Sequence, residues 1–190
     1  MNIINLDIPD VKILKPARHK DQRGFFSEVY SRPTLSAAGL ELEVVQENFA
    51  FSVQQNTVRG LHYQAAPYAQ DKLIQVVRGA IFDVAVDLRR GSPWFGQYVS
   101  AEISADNWHQ ILVPVGFAHG LCTLEPDTAV IYKVTAPYSP EHEGGVRWDD
   151  PDLNIPWPVN AQDAVLSDRD QALPFLAELD TPFEFAKVAE

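Results

Sequence analysis

Lys72-Leu73-Ile74-Gln75-Val76-Val77-Arg78-Gly79-Ala80-Ile81-Phe82-Asp83-Val84-Ala85-Val86-Asp87-Leu88 holds the pattern from which the rest of the chain can be read. Lys72, Ile74 and Val76 alternate with Leu73, Gln75 and Val77. After Arg78-Gly79, Phe82, Val84, Val86 and Leu88 alternate with Ile81, Asp83, Ala85 and Asp87. A period of two puts alternate side chains on opposite faces of a strand. The Arg78-Gly79 pair between two such runs reads as a tight hairpin connection.

The same signal extends in both directions. In Gln46 to Val53, the small and polar Gln46, Asn48, Ala50 and Ser52 share one face, and Phe49, Phe51 and Val53 share the other. Further runs are Tyr98 to Ile103, Gln110 to Val113, Ala118 to Leu124 and Ala129 to Thr135. Gly91-Ser92-Pro93, Ala105-Asp106-Asn107 and Glu125-Pro126-Asp127 punctuate them. Short strands at about 8–12-residue spacing, with no helix between them, predict a mainly β sandwich or barrel.

Toward the N-terminus, residues 1–30 suggest short edge strands broken by Pro9 and Pro16. Phe25 to Tyr30 has strand composition after the Arg23-Gly24 turn. Ser31 to Gly39 predicts a short helix, with a serine ahead of it, Pro33 in its first turn and Gly39 as its stop. After Pro137 the composition shifts, and residues 137–190 predict an irregular covering segment with one short helix from Ser167 to Leu179. The expectation is one domain over 1–190.

Bulk composition narrows the function. Fifteen basic against 26 acidic residues give a formal charge of −11, and 46% of residues are hydrophobic. A chain this acidic lacks the basic face that nucleic acid or an anionic membrane requires. An anionic substrate would have to meet locally concentrated arginine and lysine. Cys122, the one cysteine, lies in an apolar run and reads as core filler in a reducing compartment. The first residues lack a signal-peptide pattern, and no apolar run approaches the roughly 20 residues of a membrane span. The expectation is a soluble cytoplasmic protein.

The residues that could carry chemistry begin with Arg59 and His62 in Val58-Arg59-Gly60-Leu61-His62-Tyr63-Gln64. Arginine suits phosphate, and histidine titrates near neutral pH. A single histidine in an apolar strand is more often a hydrogen-bonded core residue. Strict alternation also puts Arg59 and His62 on opposite faces; lining one pocket would require a bend or bulge near Gly60. Lys72 either snorkels at an edge or points into a pocket as a cation for an oxyanion. Tyr132 either packs or supplies an acid. Asp168 and Asp170 are both available to orient a histidine, and Asp170 could equally close a capping box with Ser167. His19, His109 and His142 stand in polar contexts and read as surface residues.

Pro114-Val115-Gly116-Phe117-Ala118-His119 resembles the second half-motif of cupins, which makes a cupin-type jelly roll the expected fold. Many cupins bind a metal through an H-x-H pair, a downstream glutamate and this last histidine. Here Tyr63 and Gln64 follow His62, so the second histidine is missing and no metal is expected.

The wider set of motifs is more specific. Arg23-Gly-Phe-Phe-x-Glu28, Gln46-x-Asn48, Arg59-Gly-Leu-His62-Tyr-Gln, Lys72-Leu, Phe82-Asp-Val-Ala-Val-Asp-Leu-Arg89, Pro114-x-Gly-Phe-Ala-His119-Gly, Tyr132-Lys, Tyr138-Ser-Pro, Glu143-Gly and Leu166-Ser-x-Arg-Asp170 occur in order. Together they resemble the dTDP-4-dehydrorhamnose 3,5-epimerase family. The resemblance implies a homodimer that inverts C3 and C5 of dTDP-4-dehydro-6-deoxy-D-glucose, giving dTDP-4-dehydro-L-rhamnose without a cofactor. It implies His62 as base, Asp170 as its partner, Tyr132 as acid and Lys72 beside the developing enolate. It implies substrate binding by Arg23, Glu28, Gln46, Asn48, Arg59, Lys72, His119, Glu143 and Arg169, with Tyr138 stacking on thymine. Glu47, where aspartate is frequent, and Arg169, where lysine is usual, depart from the family pattern without removing a role. Mono-epimerisation at C3 or C5, a metal-dependent cupin reaction and a non-catalytic sugar-nucleotide module remain the alternatives.

Overall fold

The computed structural model describes residues 1–186; residues 187–190 of the expected covering segment lie outside them. The strands are β1 (Asn2–Asn5), β2 (Lys12–Lys15), β3 (His19–Asp21), β4 (Gly24–Phe26), β5 (Gln46–Ser52), β6 (Val58–Gln64), β7 (Lys72–Arg78), β8 (Ala80–Asp87), β9 (Tyr98–Ser104), β10 (Gln110–Val113), β11 (Phe117–Thr123), β12 (Thr128–Val134) and β13 (Glu143–Gly145). Two helices, α1 (Arg32–Ala37) and α2 (Asp168–Gln171), and two short 3-10 turns complete the described elements.

Two antiparallel sheets face each other in a jelly roll. One runs β1-β2-β10-β7-β12-β5 and the other β13-β6-β11-β8-β9. The core lies between them. Ile74, Val76, Ile111, Val113 and Val130 of the larger sheet meet Ile81, Ala85, Val99, Ile103, Phe117 and Leu121 of the smaller. The opposite face of the smaller sheet is also covered. Leu61, Val84, Val86, Leu88 and Ala118 pack against Val146, Leu153, Ile155 and Phe183 from the C-terminal segment. With both faces buried, β8 reads as a nearly continuous apolar run. Its two acidic interruptions, Asp83 and Asp87, point to the inner face and are fully buried.

Several expectations need correction. Arg78-Gly79 does not close a hairpin, because β7 pairs with β10 and β12 while β8 pairs with β11 and β9. The pair turns a corner from one sheet to the other. Gly79 sits there at φ +76°, and a Cβ would fall 2.4 Å from Thr128 Oγ1. In the N-terminal region β1 is an edge strand and β3 and β4 pair only with each other, but β2 pairs on both sides. The strand expected over 25–30 ends at Phe26.

The predicted helix at Ser31 forms as α1, with Ser31 Oγ accepting from Thr34 N. The predicted Ser167–Leu179 helix breaks into α2 and a 3-10 turn at Leu176–Glu178, because Pro174 interrupts it. His109 and His142 are half-buried; His142 takes a hydrogen bond with Ser139 Oγ at 2.8 Å and packs on Tyr68. Cys122 is core, and burial pushes its thiol up to about 11. No helix of the described residues is long and apolar enough to cross a membrane.

Candidate active site

Residues of both sheets and of the C-terminal segment line a cavity of about 600 Å³. Strand β6 brings both Arg59 and His62 to it, which strict alternation forbids. The ladder to β11 solves this: His119 is opposite His62, but Leu121 is opposite Arg59, so β6 carries an extra residue between them. Gly60 occupies this bulge at φ +113°. A Cβ there would lie 2.6 Å from the carbonyl oxygen of His119. Only glycine permits this conformation and this closeness without strain.

His62 Nε2 lies 2.6 Å from Asp170 Oδ1. Asp170 comes from α2, where Ser167 Oγ accepts from the Asp170 backbone N–H at 3.1 Å. The helix cap and the histidine contact therefore coexist: the backbone of Asp170 serves the cap, and its carboxylate leaves for His62. Asp168 is exposed on the far side. Burial opposes ionisation of Asp170, but the bond to His62, the charge of that ring, Ser167 and the Gly60 backbone hold its carboxyl below the ordinary range. With Asp170 ionised and accepting Nε2–H, a neutral His62 has its free lone pair on Nδ1.

The larger sheet contributes the facing groups. Lys72 of β7 donates from Nζ to the His62 carbonyl at 3.2 Å. Burial lowers its ammonium to about 8, with Glu143 and Asp83 opposing that fall. Tyr132 of β12 is held well above the ordinary phenol value, first by burial and then by Asp83, with Arg59 counteracting. It is therefore a neutral O–H donor at neutral pH. His119 of β11 lines the cavity with its ring nearly perpendicular to that of Tyr132 and its Nε2 2.8 Å from Asp83 Oδ2.

The mouth is polar. Tyr138 Oη donates to Glu143 Oε2 at 2.6 Å, and Arg169 Nη1 reaches the same oxygen at 2.7 Å. Gln46 lies behind: its Nε2 donates to Asn48 Oδ1 and its Oε1 accepts from the Tyr138 backbone. At the other end, Arg59 Nε donates to Ser52 Oγ at 3.2 Å and Nη2 to the Phe51 carbonyl at 3.3 Å, spanning from one sheet to the other.

The structure thus gathers His62, Asp170, Lys72, Tyr132, Arg59, Asn48, His119, Tyr138, Glu143 and Arg169 around one cavity, with Gln46 bracing it. Arg23 and Glu28 lie outside. Arg23 pairs with Asp21 at the turn of the β3–β4 hairpin and is 85% exposed, and Glu28 accepts from Thr34 Oγ1. Asp83 carries one signal in the sequence, a charge inside an apolar strand, and Asp87 carries the same signal. Gln64, where metal-binding cupins carry histidine, spends its amide on the Tyr68 and Pro137 carbonyls and the Ser139 N–H. Among the described residues no three His, Cys, Asp or Glu side chains are grouped to hold a metal ion.

The chain was compared with known proteins. The family model for dTDP-4-dehydrorhamnose 3,5-epimerase matches residues 5–178. The dTDP-4-dehydrorhamnose 3,5-epimerase of Sinorhizobium fredii is 49% identical over 184 residues, 97% of this chain and 94% of that protein. The solved structure of the Bacillus anthracis enzyme, with TDP and PPi bound, superposes with a TM-score of 0.88 at 49% identity, covering 92% of this chain and 98% of that one. A Legionella pneumophila dTDP-6-deoxy-D-glucose-3,5-epimerase in complex with dTDP-4-keto-L-rhamnose superposes with a TM-score of 0.92 at 41% identity, covering 97% and 99%. With the motifs, the jelly roll and the match over nearly the whole length all in agreement, the chain belongs to the dTDP-4-dehydrorhamnose 3,5-epimerase family.

Proposed function

We propose that the chain is an isomerase that inverts C3 and C5 of dTDP-4-dehydro-6-deoxy-D-glucose to give dTDP-4-dehydro-L-rhamnose. The observation that carries this reading is the His62–Asp170 pair on one sheet facing Lys72 and Tyr132 on the other. Hydrogens at C3 and C5 flank the C4 ketone and are acidic. His62 Nδ1 takes one, and the electrons of the broken C–H bond move to the carbonyl as an enolate. Lys72 stabilises that oxygen. Tyr132 then gives its proton to carbon from the opposite sheet, which inverts the centre. One inversion leaves His62 protonated and Tyr132 deprotonated; exchange with solvent restores both.

Arg59 is the proposed pyrophosphate clamp, and Tyr138, Glu143 and Arg169 hold the nucleoside end, with Gln46, Asn48 and His119 as further substrate contacts. The chemistry calls for no cofactor. The enzyme is proposed to work in the cytoplasm as a homodimer, each chain being one epimerase domain. Support for the dimer comes from edge strand β5, whose outer Phe49 and Phe51, with Val53 just past its end, are 65%, 44% and 65% exposed. It comes also from the hairpin carrying Arg23, where Phe26 is 75% exposed. An arginine and a glutamate of the family's substrate set that miss their own cavity can serve a second copy's.

Following solvent deuterium into the product by NMR tests the reaction. Label at both C3 and C5 is expected. Label at a single carbon points to mono-epimerisation, and none in His62→Ala with dTDP still bound assigns the base.

A further inference from the structure

The reaction just described leaves one carboxylate unused. Asp83 is fully buried on the inner face of β8. Its Oδ2 meets His119 Nε2 at 2.8 Å, while its Oδ1 has no hydrogen-bond partner among the described residues. A buried carboxylate oxygen without a donor is costly, and such exceptions call for a reason. Asp87, four residues on in the same strand and equally buried, shows what a structural carboxylate looks like. Its oxygens accept from Arg89 N at 2.8 Å, Nε at 3.0 Å and Nη2 at 2.6 Å, and from Ser92 Oγ at 2.6 Å. Asp83 has no such satisfaction, and for the fold alone an apolar side chain of similar volume would serve as well or better.

Asp83 sits behind the reacting groups. Burial pushes its carboxyl up, and His119 and Lys72 pull it back. Burial drives the Lys72 ammonium down, and Glu143 and Asp83 oppose that fall. The titratable groups that line the cavity with Lys72 are Arg59, His62, Tyr63, His119 and Glu143 from the smaller sheet, Tyr132 from its own, and Tyr138, Arg169 and Asp170 from the C-terminal segment, with Asp83 against His119. Glu143 already serves Arg169 and Tyr138 and Asp170 serves His62, so of the carboxylates that act on Lys72 it is Asp83 that keeps an oxygen without a donor among the described residues.

We propose that Asp83 is a positioning residue for the epimerisation: its carboxylate fixes the His119 ring and supplies the buried negative charge against which Lys72 remains an ammonium. The Oδ1 left without a donor is consistent with a group kept for its charge. The proposal rests on the epimerase reading, because it assigns Lys72 to the enolate.

The test is Asp83→Asn, which keeps the shape and removes the charge. The variant is expected to bind dTDP as the parent does but to lose about tenfold or more in kcat. The alkaline limb of its pH profile should move lower by about one pH unit. A folded variant whose pH profile superimposes on the parent's, or one that loses dTDP affinity with kcat unchanged, overturns the proposal. Should Asp83→Asn not fold, the unmutated protein still decides: the Asp83 Cγ resonance should report a carboxylate at pH 7 and the Lys72 Nζ resonance an ammonium, and a neutral acid beside a neutral amine overturns the pairing. These resonances are read whether or not the parent epimerises, so loss of the epimerase reading and loss of the Asp83 pairing remain separate outcomes.

Discussion

His62 and Asp170 stand 2.6 Å apart across 108 residues of chain, joined where a one-turn helix meets the edge of a bulged strand. The contact engages Nε2 and so sets which histidine nitrogen is left to act as the proposed base. Asp170→Asn is expected to keep the fold and lower kcat by roughly 10²–10⁴-fold, since the amide can hold the wrong tautomer. Asp168→Asn, on the exposed side of the same turn, is expected to leave turnover unchanged. Steady-state rates on the two variants check both statements.

Lys72 predicts the alkaline side of the pH profile. Its folded pKa of about 8 lies below the ordinary lysine value. The cation is therefore present at neutral pH and lost as pH rises through that value. Activity should fall above about pH 8. In Lys72→Arg, whose guanidinium stays charged, that limb should vanish whatever rate remains. A limb that persists in the arginine variant assigns it to another group.

Tyr132→Phe separates the two proton transfers. His62 can still remove a hydrogen and return it from solvent, so deuterium exchange should continue while inversion slows by about 10²-fold or more. Product formation at the parental rate would sink the assignment of Tyr132 as the acid.

Arg59→Ala should weaken dTDP binding by about tenfold or more, as a charge-assisted phosphate contact is removed. Calorimetry with dTDP alone reads this without the chemical step; unchanged affinity counts against the clamp.

Gly60→Ala tests the bulge itself. A Cβ there meets backbone at 2.6 Å, and the position holds φ +113°. Chemical denaturation should show a loss of about 2 kcal/mol or more, together with lost activity because Arg59 and His62 no longer share the cavity. A stability equal to the parent's would mean that the strand accommodates the methyl group.

How far the sequence reads depends on the residue. Alternation located the strands of the sandwich, and the clash it posed between Arg59 and His62 pointed to Gly60, where the structure places the bulge. Alternation is silent on pairing, however. Lys72–Arg78 and Ala80–Asp87 have the same period whether they pair with each other or, as here, with strands of different sheets. The covering segment was hardest, because its helix is a single turn held by one cap and by tertiary contact, not by periodicity. Asp170 was legible only as one of two aspartates, since the choice depends on which way a turn of helix faces. Asp83 could not be told from Asp87: Asp87 is satisfied by Arg89 and Ser92 just past the end of its own strand, whereas Asp83 meets His119 from β11 and keeps one oxygen without a donor among the described residues.

The attachment of α2 has a consequence for heat inactivation. Asp170 and Arg169 ride on four helical residues anchored by the Ser167 hydroxyl, by Leu173 over Gly145 and by the Pro174 carbonyl accepting from Arg147 N–H. The strands behind it are tied into sheets on both sides. Opening of this turn costs far less than melting the sandwich, and segments of low local stability open first. On warming, turnover should therefore fade while the β-sheet signal is intact, and amide exchange should be faster at Asp168–Gln171 than along β8 or β11. The working temperature range of the enzyme is then set by its weakest-anchored turn and not by its core.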